Sequence, residues 1–511
     1  MTGVRISSVA KWGAMSFAVG CIAPAAWAPL ALPVVGWLTT TALTVLILIS
    51  RHASHAMMVA MAYGVGLHLK GHGWVFQSLI GPLHAGWLTS LLGTSLFVFF
   101  LALFSAIPAA LFKLSSDRLP WWLWPSVFAS CMTLGEYART WVFHGFSGLS
   151  LGYMWVEHLP KHWLSAVGVY GLGWLTYLMA ASVAVAWVHF AVRHVLAVFV
   201  SAVVLYGGGF LLSKVQWGAP VGDALKFRLL QANVRQDDKF RPERRLTQLS
   251  DYMKWIQQEE AALILTPETA IPMPFNDLPV GHLQALQAFS QQTGSHLFLG
   301  MPVQSVSTDA FNALFYFNPQ NQIFRYEKVR LMPLGEYTPM GLVWFAQQLT
   351  LDHKDLTPGK KDQVPFELQV KGHIERYKVG TLICLEDQFG RELHRWLPDA
   401  SVLLNPSNLS WFDGSEALVQ GLQIAQARAL ESGRPILRAA NTGVTAHIDH
   451  LGNVKGGLSA GQQGELRGWV QPMTGLTGYA RWGDGPVLWL SLSLLCWGLA
   501  SRAIRPVKPA P

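Results

Sequence analysis

The sequence predicts a multi-pass helical membrane region joined to a water-soluble α/β domain, and three observations carry that prediction. Apolar residues make up 51% of the 511 residues and charged residues only 13%, against about 25% charged in an ordinary soluble protein. The deficit is uneven. Nine Lys/Arg and three Asp/Glu fall between Met1 and Ser213, and the other 56 charged residues follow. Beyond Lys214 the apolar runs shorten and alternate between strand-like and helix-like patterns, the mark of packed α and β layers. The length leaves room for two or three domains. The expected division is 1–213 helical membrane region, 214–484 soluble domain, and 485–511 final span with a short tail.

Apolar stretches close to the ~20 residues that cross a bilayer as a helix lie near 12–29, 32–50, 54–72, 85–112, 120–138, 163–191, 195–213 and 485–500. Lys70 interrupts the third, and counts of seven or nine also fit. Ala18-Val19-Gly20-Cys21 and Ala26-Trp27-Ala28 faintly resemble processing sites. The apolar run before Cys21 is short and broken by Gly13 and Gly20, so an uncleaved first span is expected. Cys21, Cys131 and Cys496 fall in predicted spans, where a small apolar thiol is ordinary.

Positive charge orients the spans. Arg5, Lys11, Arg51, Lys113, Arg118, Arg193, Arg502, Arg505 and Lys508 all fall on one side with eight spans, the cytoplasmic side. Lys70, Arg139 and Lys161 fall on the other. The soluble domain is then expected outside the cytoplasm. The net charge of +8 does not indicate nucleic acid, because the basic residues are scattered or sit at the ends of apolar segments. Glu136 and Arg139 are the main intramembrane charges and are expected near the interface.

In the soluble domain Phe227–Gln231, Ala262–Leu265, His296–Leu299, Tyr377–Ile383 and Ser401–Leu404 read as strands. Gln284–Thr293 and Val419–Glu431 read as helices. No internal sequence repeat or low-complexity tract is evident.

Cys384 is the only cysteine of the soluble part, and an unpaired thiol in an oxidising compartment suggests chemistry. It ends an apolar strand, where a sharp turn exposes a nucleophile and brings backbone N–H groups towards an oxyanion. Taken alone, a buried structural cysteine explains it as well. Glu268 ends another apolar strand, in LILTPETAIP, where a carboxylate beside a thiol takes its proton. Lys328, in RYEKVRLMPLGEYTP, suits an oxyanion and would favour the thiolate. Glu336 follows eight residues on, placed to orient Lys328 or the base. Singly, each of these three is an ordinary loop or surface charge.

Together, Glu268 in PETAIP, Lys328 in YEKVRLMPLGEYTP and Cys384 in GTLICLED resemble the nitrilase superfamily, which uses a Glu–Lys–Cys triad on an α-β-β-α sandwich. With multiple spans before it and one after, the chain resembles the apolipoprotein N-acyltransferase family. Glu136–Tyr153, Leu230–Asn233, Asn312 in FNALFYF and Ala425–Gly443 agree with it in kind. The resemblance implies Glu268 as general base, Lys328 as oxyanion-stabilising cation and Cys384 as nucleophile, with Glu336 and Glu386 as supporting glutamates. It implies a ping-pong reaction through a cysteine thioester. The acyl donor is a phospholipid, typically phosphatidylethanolamine, and the acceptor is the α-amine of a diacylglyceryl-cysteine apolipoprotein. No cofactor is implied. A metal is not expected either, because His296, His353, His373, His394, His447 and His450 lack convincing ligand spacing. His447-Ile448-Asp449-His450 comes nearest.

Leu385, Leu334, Phe240 and Leu409 depart from the family's usual tyrosine, phenylalanine, tryptophan and aspartate. These departures put acyl-chain choice, lid packing and rate in doubt. Two other readings stay open: a membrane-tethered amidase or nitrilase acting on small amides, and a non-enzymatic scaffold or transporter. Eight spans exceed what a tether needs. An intact triad and the scarcity of intramembrane charge count against the second.

Overall fold

The computed structural model describes residues 3–116, 119–304, 309–347 and 355–504. Arg118, His353, Arg505 and Lys508 lie outside the described residues, as do the side chains of Arg5 and Arg502. The chain forms two compact units. One contains the residues up to Phe76, Ser90–Val215 and the stretch from Arg481; the other contains Gln77–Thr89 and Gln216–Ala480.

The helical unit contains α1 (Gly3–Ile22), α2 (Pro33–Ile49), α3 (Ala53–Gly71), α4 (Trp87–Ser116), α5 (Trp124–Arg139), α6 (Trp163–Val188) and α7 (Val192–Leu212, with a π-helical turn at Val203–Gly207). A last helix, Gly485–Ile504, follows the second unit. Among the described residues three helical stretches are long and apolar enough to cross a membrane: Trp87–Ser116, Leu159–Val188 and Val192–Leu212. Pro33–Ile49 and Gly485–Ser501 are shorter apolar helices.

The first helix is displaced from its expected 12–29. It begins at Gly3 and gives way to a 3-10 turn at Ala23–Ala26. Pro24 has no N–H to continue the ladder, and polar residues before Lys11 are compatible with a helix without being apolar. Lys70 does not break α3. It lies in the last turn, where a cation meets the negative end of the helix. A Cβ on Gly66 of α3 would lie 2.3 Å from the Phe17 carbonyl of α1, so a glycine there lets the two backbones close. Glu136 and Arg139 are buried within the helical packing. Glu136 accepts from the Leu151 amide at 3.0 Å and the Tyr177 hydroxyl at 2.8 Å. Arg139 donates to the Gly148 carbonyl at 2.9 Å. The pair fixes the loop after α5.

Among the described residues the second unit has fourteen strands in chain order: β1 Gly218–Pro220, β2 Leu225–Gln231, β3 Leu263–Leu265, β4 His296–Gln304, β5 Ala310–Phe317, β6 Ile323–Glu327, β7 Phe366–Gln369, β8 Arg376–Thr381, β9 Val402–Ser407, β10 Ile436–Ala440, β11 Thr445–Ile448, β12 Val454–Leu458, β13 Gly464–Val470 and β14 Met473–Gly475. Its longer helices are α8 (Pro242–Ile256), α9 (Val280–Thr293) and α10 (Ala417–Ser432). One sheet runs β13-β2-β3-β4-β5-β6 and the other β12-β11-β10-β9-β8-β7; β1 and β14 form a small pair. Each large sheet has three parallel strands at its centre and antiparallel neighbours outside them. The two sheets thus repeat a topology without a visible sequence repeat.

Period-2 alternation decides the layers. Leu225, Phe227 and Leu229 of β2, Phe298 of β4 and Leu314 and Tyr316 of β5 face the core shared with the second sheet. Leu230, Leu297, Leu299, Ala313 and Phe315 face Leu249, Met253 and Ile256 of α8 and Leu286 of α9. Ala425 and Ala429 of α10 pack with the second sheet. The order is α-β-β-α.

Candidate active site

The carboxyl ends of β3, β6, β8 and β9 each lead into a segment that carries a polar group of the site. Glu268 follows β3 and is buried. A Cβ on Gly300 of β4 would lie 2.2 Å from the Pro267 carbonyl, so only glycine lets the Glu268 segment lie against that strand. Lys328 follows β6 directly and is 2% exposed. Its Nζ lies 2.7 Å from Glu268 Oε1 and 2.8 Å from Glu336 Oε2. Asn312 of β5 donates through one amide nitrogen to Glu268 Oε1 at 2.7 Å and to Glu336 Oε1 at 2.6 Å. One lysine and one amide therefore hold two carboxylates that would otherwise repel.

Cys384 begins a 3-10 turn, Cys384–Gln388, three residues after β8 ends. Its φ is +48°, a left-handed value costing a non-glycine residue about 1–2 kcal/mol. The expected strand to Ile383 stops at Thr381, because the chain must leave the sheet to make this turn. The thiol points to the Asn408 carbonyl at 4.0 Å, and the Asn408 amide donates to Glu268 Oε2 at 2.7 Å. One residue, Asn408, thus touches the thiol through its carbonyl and the carboxylate through its amide.

Glu386 is fully buried and serves as a clamp. It accepts from the Val329 and Ile383 amides, both at 2.8 Å, and from the Tyr326 hydroxyl at 2.9 Å. Those amides flank Lys328 on one side and Cys384 on the other. Asp387 pairs with Arg438 at 2.8 Å behind the turn.

Charge and burial set the resting protonation. Burial pushes the Glu268 carboxyl up, but the charge and hydrogen bond of Lys328, with Lys239 and the Asn408 amide, hold it below the usual carboxylate range. Burial alone would lower Lys328; Glu268 and Glu336 keep it well above the ordinary lysine value. Burial and then the charge of Glu268 raise the Cys384 thiol, against Lys328. The resting arrangement is a thiol beside a carboxylate–ammonium pair. It can transfer the thiol proton to a base as sulfur attacks a carbonyl, with an ammonium near the developing oxyanion.

Three polar residues of this cluster were not among the site candidates. Asn312 lies in a stretch, FNALFYF, that agrees with the family in kind, and Asn408 sits beside Leu409, one of the departures from its usual residues. Lys239 gave no signal, because QDDKF reads as a solvated charge run. The His447–His450 segment closes the turn between β11 and β12, where Asp449 accepts from the Leu451 and Asn453 amides at 2.9 and 2.8 Å.

Comparison with known proteins divides the chain in the same two parts. Residues 19–182 match the apolipoprotein N-acyltransferase N-terminal domain, and residues 227–471 match the carbon-nitrogen hydrolase family. An apolipoprotein N-acyltransferase of Nitrosomonas europaea is 33% identical over 497 residues, covering 96% of this chain and 97% of the relative. That of Methylococcus capsulatus is 33% identical, covering 93% of each. Among solved structures, a CN-hydrolase superfamily protein of Xanthomonas campestris is 16% identical over 49% of this chain and 91% of its own, with a TM-score of 0.37. An amidase from Nesterenkonia sp. is 19% identical over 52% of this chain and 96% of its own, with a TM-score of 0.36.

Proposed function

The chain belongs to the apolipoprotein N-acyltransferase family, and from that premise we propose that Glu268, Lys328 and Cys384 carry its reaction, supported by Glu336 and Glu386. The enzyme is a bacterial membrane acyltransferase that completes lipoprotein maturation through a cysteine thioester. Its substrates are a phospholipid and a lipoprotein. Phosphatidylethanolamine is the proposed donor, attacked at its sn-1 ester. The proposed acceptor is the α-amine of a diacylglyceryl-cysteine. The proposed location is the inner membrane, with the 214–484 domain facing the periplasm.

In the first half-reaction the Cys384 thiol gives its proton to the Glu268 carboxylate while sulfur bonds to the ester carbonyl carbon. The oxyanion develops beside Lys328. The carbon–oxygen ester bond then breaks, and Glu268 returns the proton to the lysophospholipid oxygen. In the second half-reaction the acceptor amine bonds to the thioester carbon and loses a proton to Glu268. The carbon–sulfur bond breaks and the sulfur takes that proton. A raised thiol suits this order, because deprotonation is coupled to attack. Both substrates stay anchored by their chains; extracting them would cost about 0.8 kcal/mol for each buried CH₂.

The observation that carries this reading is the buried contact of Lys328 with Glu268 and Glu336, linked through Asn408 to the Cys384 thiol. The test is intact mass after incubating the purified chain in detergent with phosphatidylethanolamine. A hydroxylamine-sensitive adduct of fatty-acyl mass is expected, absent from Cys384→Ser and transferable to a diacylated lipopeptide. No adduct from several phospholipids, in folded protein, would overturn the donor mechanism and favour a small amide substrate.

A further inference from the structure

The steps above leave one buried ammonium unused. Lys239 ends a short helical turn, Gln236–Lys239, and is 2% exposed. Its Nζ donates to the Glu268 carbonyl at 3.0 Å, a neutral acceptor. An ionised group buried without a paired counter-ion is costly, so the fold must hold it there. The loop before it is pinned from the opposite sheet. Asn441 accepts from the Val234 amide at 3.0 Å and donates to the Val234 carbonyl at 2.7 Å. The Asn233 amide donates to the Asn441 carbonyl at 3.1 Å, and Asn233 takes a left-handed φ of +55°. Asn408 donates to Gln236 Oε1 at 3.1 Å. The same Asn408 contacts both Glu268 and Cys384 through its peptide groups, so one network sets the triad and places Lys239.

We propose that Lys239 is a positioning residue of the acyl-transfer reaction, whose ammonium stabilises negative charge on the Cys384 sulfur as it attacks and as it leaves. The ionisable groups acting on it are Glu268 after β3, Cys384 after β8 and Lys328 after β6. With Lys239 charged, two ammonium groups balance Glu268 and Glu336, and the centre stays balanced when the thiol proton moves to Glu268 and the negative charge moves to sulfur. With Lys239 neutral, the sulfur takes that charge in a centre that already carries one excess negative charge. Burial lowers the Lys239 ammonium to about 7, against the opposing influence of Glu268 and Cys384. Its support for the sulfur is therefore present on the acid side of neutrality and withdrawn on the alkaline side.

The inference rests on the acyl-transfer reading, but its test uses no lipid. Alkylation of Cys384 by iodoacetamide, followed by mass on the full chain in detergent with C384S as blank, reads the sulfur directly. K239M should react about tenfold more slowly than the parent below about pH 6, and the two profiles should converge above about pH 9. K239R, whose guanidinium does not titrate there, should stay faster than the parent on the alkaline side. The parent's own profile should rise less than tenfold per pH unit near neutrality, which keeps the test valid if a variant fails to fold. A constant ratio of K239M to parent across pH, or a straight tenfold rise per unit through neutrality, overturns the proposal without touching the thioester result.

Discussion

Lys239 and Lys328 carry the same side chain, and burial has opposite outcomes for them. Lys328 lies against two carboxylates and is held well above the ordinary lysine value; Lys239 meets a carbonyl and falls to about 7. Desolvation acts on both, and the partners decide the sign. A stability consequence follows. In the unfolded chain Lys239 titrates near the usual value of about 10.4. Between that value and about 7 the folded state binds fewer protons. The ionised lysine therefore costs stability below about 7, and the cost fades as pH rises towards about 10. K239M removes that cost. In detergent it should melt above the parent at about pH 6, with the gap closing near pH 10. Scanning fluorimetry at a series of pH values checks this, and a gap that does not change with pH would exclude the ammonium as its source.

At the scale of elements, the site depends on two turns meeting. The segment after β6 presents Lys328, and the turn after β8 presents Cys384 at φ +48°. Neither turn has a regular ladder to hold it, and Glu386 joins them through the Val329, Arg330 and Ile383 amides. An amide side chain in its place would point N–H groups at N–H groups. Hydrogen bonds to a charged group contribute about 1.5–3 kcal/mol each. E386Q should therefore lose about 3 kcal/mol of stability in urea unfolding followed by tryptophan fluorescence, and acyl-enzyme formation should fall by about a hundredfold. Retention of parental stability would show that the clamp is not structural.

At the scale of the whole molecule, the chain separates its charge. The helical unit takes few ionisable groups, and the α-β-β-α unit takes most of the rest. The positive-inside distribution gives the proposed orientation a direct readout. Lys455, on β12, has a side chain 58% exposed. In intact spheroplasts K455C should gain labelling by a membrane-impermeant maleimide over the parent. Labelling only after lysis would invert the proposed topology.

The sequence by itself determined the division into apolar and charged regions, the approximate place of most of the helices of the apolar regions, and the strands that bury their alternate residues. These features are written in local composition and period, so they are legible without contacts. Cys384 was legible as a lone thiol after an apolar strand, and Glu268 as a carboxylate in the same position on another strand. Only the tertiary structure decided that Lys328 would face two carboxylates, that Asn312 would bridge them, and that Asn408 would join carboxylate to thiol. It also decided that Lys239 would be buried, although its neighbours Asp237, Asp238 and Arg241 make the stretch look solvated. The reason is physical: burial of a polar side chain depends on which distant loops close over it, and closure depends on strand order and turn geometry rather than on the residues beside it in the chain.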